Sequence, residues 1–324
     1  MILTLGSYTR RISQGIYTIE LNTKEKKLEN LTLQHAIQDP TYLDIADQLL
    51  FTSMREDQSG LRMYDNDTIV NQVIKENSPP CFVCYVPSKQ IILTANYHNG
   101  HIDIYSTSKH MLSHLQRVTY KEGSHAHSVA YEPRFEEVYV CDLGLDKVLT
   151  YAIIEDQLVL KHIFNTLPKQ GPRHFVVHPN LPFIYVITEL SSEVLVLKRH
   201  ADRFELIQTI ATLPIGEEQI KSAAAIRISQ DGRFLYVSNR GHDSISGFEV
   251  QSDAKLTMIQ NIPTFGNHPR DFNLSLDGKY LVVVNLHSDN LSLFERNPIN
   301  GELRLLQKDV FAPEPSCIVF NKLG

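Results

Sequence analysis

The sequence contains a repeated unit that strongly restricts the folds it can adopt. Residues 226–239 (IRISQDGRFLYVSN) and 272–285 (FNLSLDGKYLVVVN) share one pattern: an apolar run, an Asp-Gly turn and a second apolar run. An Asp-Gly pair between apolar runs is a strong signal for a β-hairpin. Two further apolar runs follow each hairpin, as at 244–248 and 256–259. Each unit therefore predicts four short antiparallel strands, which is the make-up of one propeller blade.

The same unit recurs along the whole chain. Its copies begin at Pro40, Pro80, Ala126, Pro172, Ala223, Pro269 and Pro315, with spacings of 40, 46, 46, 51, 46 and 46 residues. The last copy has room for one strand, and its three missing strands lie at the N-terminus, at 2–7, 15–20 and 28–32. We therefore predict an all-β protein with a single domain over 1–324, a seven-bladed β-propeller whose last blade is closed by the N- and C-terminal strands. The alternative, a β-sandwich array, does not need such a split unit.

Composition narrows the functional class. The formal net charge of −6 is not that of a general nucleic-acid surface, which is basic. No apolar run reaches the roughly 18 residues of a membrane span, and the apolar N-terminus ends at Gly6, too early for a signal peptide. Four cysteines in 324 residues are not a disulfide framework. We expect a cytoplasmic protein without nucleic-acid or membrane partners, and the sequence leaves its oligomeric state open.

Aligning the units predicts which residues meet at one face of the propeller. The first strand of a blade lines the channel and the second runs back beside it, so the start of one and the end of the other share a face. The residues that follow each unit start form a first ring: Thr41, Cys81, His127, Arg173, Ala224, Arg270 and Ser316. The residues that end the second strands form a second ring: Ser7, Ser53, Asn96, Asp142, Glu189, Asn239 and Asn285.

Several members of these rings have the chemistry of an acid–base site. His127 and Arg173 occupy equivalent positions in adjacent units, and Glu189 lies in the unit of Arg173. A base, a cation and a carboxylate converging on one pocket are typical of catalysis or of anion binding. We predict catalytic roles for His127, Glu189, Arg173 and Arg270, and substrate binding by Arg173, Arg270, Asp142, Asn239 and Asn285. The alternative is a hydrated channel in which the asparagines cap strand ends.

Three other features carry weaker predictions. His125 and His127 can share a face of a strand, as metal ligands do, but no third ligand follows at a recognisable spacing, so we predict no metal. Cys81 and Cys84 lack the second cysteine pair that a zinc site needs. On a strand their side chains point to opposite faces, which favours two buried thiols over a redox couple. The loop 213–221 accounts for the long spacing of 51 and is expected to overhang the predicted site.

Three segments resemble the propeller-type lactonase family, which includes bacterial 6-phosphogluconolactonases and fungal carboxy-muconate lactonising enzymes. They are 171–179 (GPRHFVVHP), 222–245 and 267–272 (NHPRDF), and the similarity extends over essentially the whole chain. The resemblance implies a site of one histidine, two arginines and one glutamate on the channel face, which falls on His127, Arg173, Arg270 and Glu189. The sequence departs from many relatives at Arg227, where they have histidine, and from some at Ala225, where they have an acid.

The resemblance implies hydrolysis of an anionic sugar lactone, specifically 6-phosphogluconolactone to 6-phosphogluconate in the pentose phosphate pathway, without a cofactor. His127, with an ordinary pKa near 6.5, is the expected base, and Glu189 is the alternative. Arg173 and Arg270 are expected to divide anion binding and oxyanion stabilisation between them. Two other functions remain open: a muconate-type lactonising cycloisomerase at the same site, and a propeller that binds a ligand or protein without catalysis.

Overall fold

The fold is the predicted propeller. The computed structural model describes residues 1–46, 48–217 and 222–321. The strands in this part of the chain form seven four-stranded antiparallel sheets, one for each blade. The helices described are two short 3₁₀ turns, Pro87–Lys89 and Ser108–His110. None of the described helices has the length and apolar character needed to cross a membrane.

The strands are numbered in chain order and follow one another outward from the channel within each blade. Blade 1 contains β4 (Leu43–Ala46), β5 (Leu49–Arg55), β6 (Ser59–Asp65) and β7 (Thr68–Glu76); blade 2 contains β8 (Phe82–Val86), β9 (Ile91–Asn96), β10 (His101–Ser106) and β11 (Ser113–Thr119); blade 3 contains β12 (Ala126–Glu132), β13 (Glu137–Asp142), β14 (Lys147–Ile154) and β15 (Gln157–Asn165). Blade 4 contains β16 (Pro172–Val177), β17 (Phe183–Thr188), β18 (Glu193–Arg199) and β19 (Phe204–Ala211); blade 5 contains β20 (Ala223–Ile228), β21 (Phe234–Asn239), β22 (Ser244–Val250) and β23 (Leu256–Pro263). Blade 6 contains β24 (Pro269–Leu274), β25 (Tyr280–Asn285), β26 (Asn290–Arg296) and β27 (Leu303–Phe311); blade 7 contains β28 (Pro315–Phe320), β1 (Ile2–Ser7), β2 (Gly15–Asn22) and β3 (Lys27–Ala36).

The two ends of the chain share blade 7, as the split repeat predicts. The C-terminal strand β28 lies innermost and pairs antiparallel with β1, with Leu3 opposite Phe320 and Leu5 opposite Ile318. This pairing gives the first strand of the chain a partner on its inner edge, so that edge is not left open to other strands. The prediction that the termini complete one blade is confirmed.

The predicted starts of the inner strands are confirmed in five blades, and the inner strands of blades 1 and 2 start slightly later, at Leu43 and Phe82. The reason in blade 1 is a tight turn. Asp39 has a left-handed backbone with φ of 45°, and the Thr41 N–H donates back to the Asp39 carbonyl at 2.7 Å. That donor is therefore not available to a neighbouring strand, and the ladder begins after it.

The core lies between adjacent blades. Tyr185 and Ile187 on β17 of blade 4 belong to the same buried cluster as Leu235 and Val237 on β21 of blade 5. All four side chains are completely buried. A single four-stranded sheet cannot cover both of its faces, and here each blade covers a face of the next.

A hydrogen-bonded glutamine on the outermost strand joins several pairs of neighbouring blades. Its side-chain carbonyl accepts the N–H of a leucine in the next blade, and its amide donates to the carbonyl of that same leucine. The pairs are Gln116 with Leu158, Gln208 with Leu256, Gln260 with Leu303 and Gln307 with Leu28, with N–H···O distances from 2.6 to 2.7 Å. We call these contacts the glutamine latches.

The junction between blades 3 and 4 has a different contact. His162 on β15 lies four residues after Leu158, at the position that the latch glutamine holds in blades 2, 4, 5 and 6. Its ring makes an edge contact with Phe204 on β19 at 5.1 Å between centroids. Among the described residues both ring nitrogens are buried without a hydrogen-bond partner, and burial lowers the pKa of His162. Apolar contact therefore takes the place here of the paired hydrogen bonds found at the four latched junctions.

We expect Gln260→Ala to lower the free energy of unfolding by about 1–2 kcal/mol, because it leaves the Leu303 N–H and carbonyl without their partner. The control is Gln251→Ala, whose side chain contacts only the exposed Glu249 carboxylate, and which should change stability by less than about 0.5 kcal/mol. Denaturant unfolding of both variants measures the difference. Equal stabilities would show that the latch contributes nothing.

Candidate active site

The first predicted ring faces the channel because the inner strands are irregular at that position. In blades 3, 4, 5, 6 and 7 the pairing between the two innermost strands shifts register at the ring residue, which lacks a partner opposite it. In blade 3, for example, Ala126 and Ser128 pair with Asp142 and Cys141, and His127 lies unpaired between them. Such a β-bulge turns its side chain out of the normal alternation of the strand. It accounts for the side chains that converge on the channel.

A cavity of about 220 Å³ lies at this end of the channel. Its lining includes side chains from loops as well as from the inner strands. The charged and aromatic residues among them are Tyr8, Arg10, Asp39, Arg55, Tyr97, His98, His127, Glu189, Arg240 and Arg270. Of the four residues predicted to be catalytic, three line this cavity, and Arg173 lies against it through its contact with Glu189.

The second predicted ring needs a correction at Glu189. Thr188, opposite Pro172, holds the strand-end position that Asp142 holds in blade 3, and Glu189 is the next residue. That offset puts its carboxylate in the cavity, whereas the side chain of Thr188 is fully buried in the blade. The equivalent residue in blade 5 is Arg240, which follows Asn239 and also lines the cavity.

The three other residues predicted to bind substrate do not line the cavity. Asp142, Asn239 and Asn285 are buried, at 0–1% exposure. Asp142 accepts hydrogen bonds from the Ser124 hydroxyl and from the backbone of the loop before β12, and Asn239 accepts one from the Thr212 hydroxyl at 2.6 Å. The amide of Asn285 points to Ser292 at 3.4 Å. Asp142 and Asn239 thus bind the loops that lead into their blades, whereas Oδ1 of Asn285 is buried and has no hydrogen-bond partner among the described residues. The site described below does not include these three residues.

Glu189 lies between two arginines. Its Oε2 is 3.0 Å from Nε of Arg173 and 2.8 Å from an Nη of Arg240. Burial opposes ionisation of Glu189, but the two guanidinium groups outweigh it and hold the pKa of this carboxyl below its ordinary value. Burial, with the charge of Arg240, lowers the pKa of Arg173 to about 10. Both groups therefore stay charged at neutral pH, with one carboxylate shared by two guanidiniums.

Arg173 is fixed further by its surroundings. It is 2% exposed, and an Nη donates to the Ala224 carbonyl at 2.7 Å. The same guanidinium lies 3.2 Å from the ring of His174, the next residue along the chain. Its hydrogen bond to the Ala224 carbonyl and its ion pair with Glu189 place Arg173 to hold that carboxylate in position.

His127 is a buried, neutral imidazole on the cavity wall. It is 5% exposed, and its ring makes edge contacts with Tyr97 at 5.8 Å and His174 at 5.1 Å between centroids. Among the described residues Nδ1 is buried and has no hydrogen-bond partner. Burial first, and then the charges of Arg173 and Arg270, hold the pKa of His127 well below 6.5. The residue lines the cavity, so its imidazole borders the space in which a ligand would bind.

Arg270 is half-buried and differs from Arg173 and Arg240, which both pair with Glu189. Among the described residues no acidic oxygen lies within 4.0 Å of it, and its guanidinium carbon lies 5.3 Å from the ring centroid of Tyr8. Arg10 also lacks an ion pair among the described residues, and its guanidinium carbon lies 4.4 Å from the ring centroid of Tyr8. Four arginines and two carboxylates line the cavity, so its charge is positive and suits an anionic ligand.

The sequence alone did not identify Arg240, Tyr8 or Arg10 as members of the site. A signal for Arg240 was present, since it follows Asn239 at the same offset by which Glu189 follows Thr188. Tyr8 and Arg10 lie on the segment between β1 and β2, outside the repeat, so aligning the units could not place them.

The surroundings of Cys81, Cys84 and His125 favour structural roles for these residues. Cys81 lies in the cavity wall, where burial raises the pKa of its thiol to about 11, and burial raises that of Cys84 to about 12. His125 stacks on Tyr97 at 4.3 Å between centroids, and its Nδ1 lies 2.9 Å from the Tyr97 carbonyl. Within 1–46, 48–217 and 222–321, neither His125 nor His127 belongs to a cluster of three potential metal ligands.

The loop predicted to overhang the site lies partly outside the described residues, which end at Glu217 and resume at Ser222. Within the described part, the Glu217 carboxylate contacts Nε2 of His242, two residues beyond Arg240. The overhang of residues 218–221 stays a prediction.

Known proteins match this chain over its full length. Residues 2–320 match the family described as "Lactonase, 7-bladed beta-propeller". The 6-phosphogluconolactonase of Bacillus subtilis is 34% identical over 338 residues, covering 98% of this chain and 97% of the relative. A crystal structure of a Lactobacillus plantarum protein has a TM-score of 0.96 at 35% identity, covering 99% of both chains. The periplasmic gluconolactonase of Pseudomonas aeruginosa has a TM-score of 0.91 at 26% identity, covering 100% of this chain and 99% of that one.

The repeat, the closed ring of seven four-stranded blades and the match over residues 2–320 lead to the same assignment. The chain belongs to the seven-bladed β-propeller lactonase family.

Proposed function

We propose that this protein hydrolyses the lactone of an anionic sugar acid, specifically 6-phosphoglucono-δ-lactone to 6-phosphogluconate. The observation that carries the proposal is the excess of guanidinium groups over carboxylates around a neutral histidine. Lactone hydrolysis needs a base for water, positive charge for the developing oxyanion and a grip on the substrate's own anion. The relative from B. subtilis bears the name of this activity.

His127 is the proposed general base. Its neutral imidazole accepts a proton from water as the oxygen of that water attacks the lactone carbonyl carbon. Since the pKa of His127 is well below 6.5, the imidazolium so formed is a strong acid. It therefore returns the proton readily to the ring oxygen when the carbonyl carbon–ring oxygen bond breaks. The products are a carboxylic acid, which ionises, and a free hydroxyl group.

The arginines have separate proposed roles in stabilising the oxyanion and in binding the phosphate. Arg240 lines the cavity beside Glu189, and we assign it to the oxyanion that forms on the carbonyl oxygen. Glu189 and Arg173 hold that guanidinium in place, because the carboxylate bridges the two arginines. Arg270, which has no acidic partner, is assigned to the phosphate. Catalysis then needs neither a metal nor a cofactor, and the proposed setting is the pentose phosphate pathway in the cytoplasm.

A timed assay on freshly prepared 6-phosphoglucono-δ-lactone, corrected for spontaneous opening, tests the proposal. We expect enzyme-dependent hydrolysis of this lactone at a higher kcat/KM than that of glucono-δ-lactone, which lacks the phosphate. A parallel absorbance assay with carboxy-muconate tests the cycloisomerase alternative. Turnover of the muconate with no acceleration of lactone opening would replace the hydrolase proposal by that alternative.

Replacing His127 by glutamine should lower kcat/KM for lactone hydrolysis by about 10²- to 10⁴-fold, the usual contribution of a general base. The circular dichroism spectrum should not change. His200→Gln is a matched control, because His200 pairs with Glu205 at the outer end of blade 4. That variant should retain wild-type kinetics. Near-wild-type turnover by the His127 variant would remove it from the mechanism.

The pH profile offers an independent check on His127. Because its pKa is held well below 6.5, the base form persists as pH falls through 6.5. Glu189, whose pKa is also lowered, stays ionised over the same range. We therefore expect kcat/KM for glucono-δ-lactone, which carries no phosphate that titrates in this range, to show no inflection between pH 6 and 7 and to fall only at lower pH. A single ionisation near pH 6.5 in the free enzyme would contradict the assigned environment of His127.

A further inference from the structure

The segment that carries Tyr8 and Arg10 is held by one buried carboxylate. Glu314, 2% exposed and next to β28, accepts four consecutive backbone N–H groups at 2.8–3.1 Å. The donors are Arg10, Arg11, Ile12 and Ser13. The Tyr8 N–H also donates to the Glu314 carbonyl at 3.0 Å. The segment therefore has a fixed conformation at the cavity before any ligand binds.

This fixed segment places two unpaired guanidiniums against one aromatic ring. Arg10 and Arg270 lie 4.4 Å and 5.3 Å from the ring centroid of Tyr8. Neither has an acidic partner among the described residues, although Arg11 next to Arg10 pairs with Asp289 at 2.9 Å. Contact with the face of the ring stabilises a guanidinium group, but it does not neutralise its charge. An anion bound here supplies that negative charge and gains charge-assisted hydrogen bonds.

We propose that Arg10, Tyr8 and Arg270 form an anion subsite of this cavity that selects a phosphate monoester, with Glu314 as its positioning residue. The inference rests on the proposed function for the identity of the substrate. It goes further by naming the residues that distinguish a phosphorylated lactone from an unphosphorylated one. His127, Glu189 and Arg240 act on the lactone carbonyl, whereas the subsite binds the phosphate through planar guanidinium groups that fit it in bidentate fashion.

The decisive variant is Arg10→Gln, compared on two substrates. For 6-phosphoglucono-δ-lactone we expect KM to rise about tenfold to a hundredfold, the usual loss for charge-assisted hydrogen bonds, with kcat within twofold of wild type. For glucono-δ-lactone kcat/KM should stay within twofold. Arg203→Gln is the matched control, since its exposed guanidinium pairs with Asp202 and does not line the cavity. Equal losses by the Arg10 variant on both substrates, or no loss on either, would overturn the subsite.

Binding measured by calorimetry separates failure of the subsite from failure of the proposed function. Wild type should bind 6-phosphogluconate more tightly than gluconate, and Arg10→Gln should abolish the difference. If wild type hydrolyses neither lactone but shows this pattern, the proposed reaction is wrong and the subsite stands. If it hydrolyses the lactones but does not distinguish the two ligands, the subsite is wrong and the reaction stands.

The role of Glu314 is tested in the same assays. Glu314→Ala should raise KM for the phosphorylated lactone as Arg10→Gln does, and the double variant should be little worse than either single one, because both remove the same interaction. Glu314→Gln, which keeps one acceptor oxygen, should recover part of the loss. A uniform fall in kcat on both substrates would assign Glu314 to general stability and not to positioning.

Discussion

Each sheet of this protein has two apolar faces and cannot bury either of them alone. Stacking seven sheets in a ring lets every blade cover its neighbours, as Tyr185 and Ile187 of one blade do with Leu235 and Val237 of the next. The glutamine latches add directional contacts at the circumference, where the sheets are most exposed and apolar contact is least complete. The bulges of the inner strands depend on this frame, because an isolated strand could not hold His127 out of its normal alternation.

The frame also allows an unfavourable group of charges to persist. Burial of Arg173 beside Arg240 costs free energy, and the single carboxylate of Glu189 compensates only part of it. Arg270 adds a further positive charge without an acidic partner among the described residues. Strongly stabilised surroundings commonly support such sites, whose local instability is part of how they bind and react. In the proposed function an anionic ligand supplies the missing negative charge.

Period and register explain how far the sequence could predict the structure. The spacing of unit starts located the blades because an error of one or two residues does not alter a repeat of about 46. It located His127, Arg173 and Arg270 because these follow unit starts that are well marked by proline or alanine. At the end of the second strand no such mark exists, and an error of one residue reverses the direction of a side chain. Glu189 was therefore assigned to the position of Thr188, and Arg240 was missed. The buried hydrogen bonds of Asp142 and Asn239 depend on loop conformations that the repeat does not encode.

The split blade has a consequence for how the molecule is made. Strands β1–β3 are synthesised before their inner partner β28, which follows the other described strands of the propeller in the chain. Glu314 directly precedes β28, so the segment with Tyr8 and Arg10 cannot take its final conformation until Glu314 has been synthesised. A chain truncated before Glu314 lacks both the innermost strand of blade 7 and the carboxylate that holds this part of the cavity wall. Closure of the ring and completion of the cavity wall thus both depend on segments that lie about 300 residues apart in the sequence.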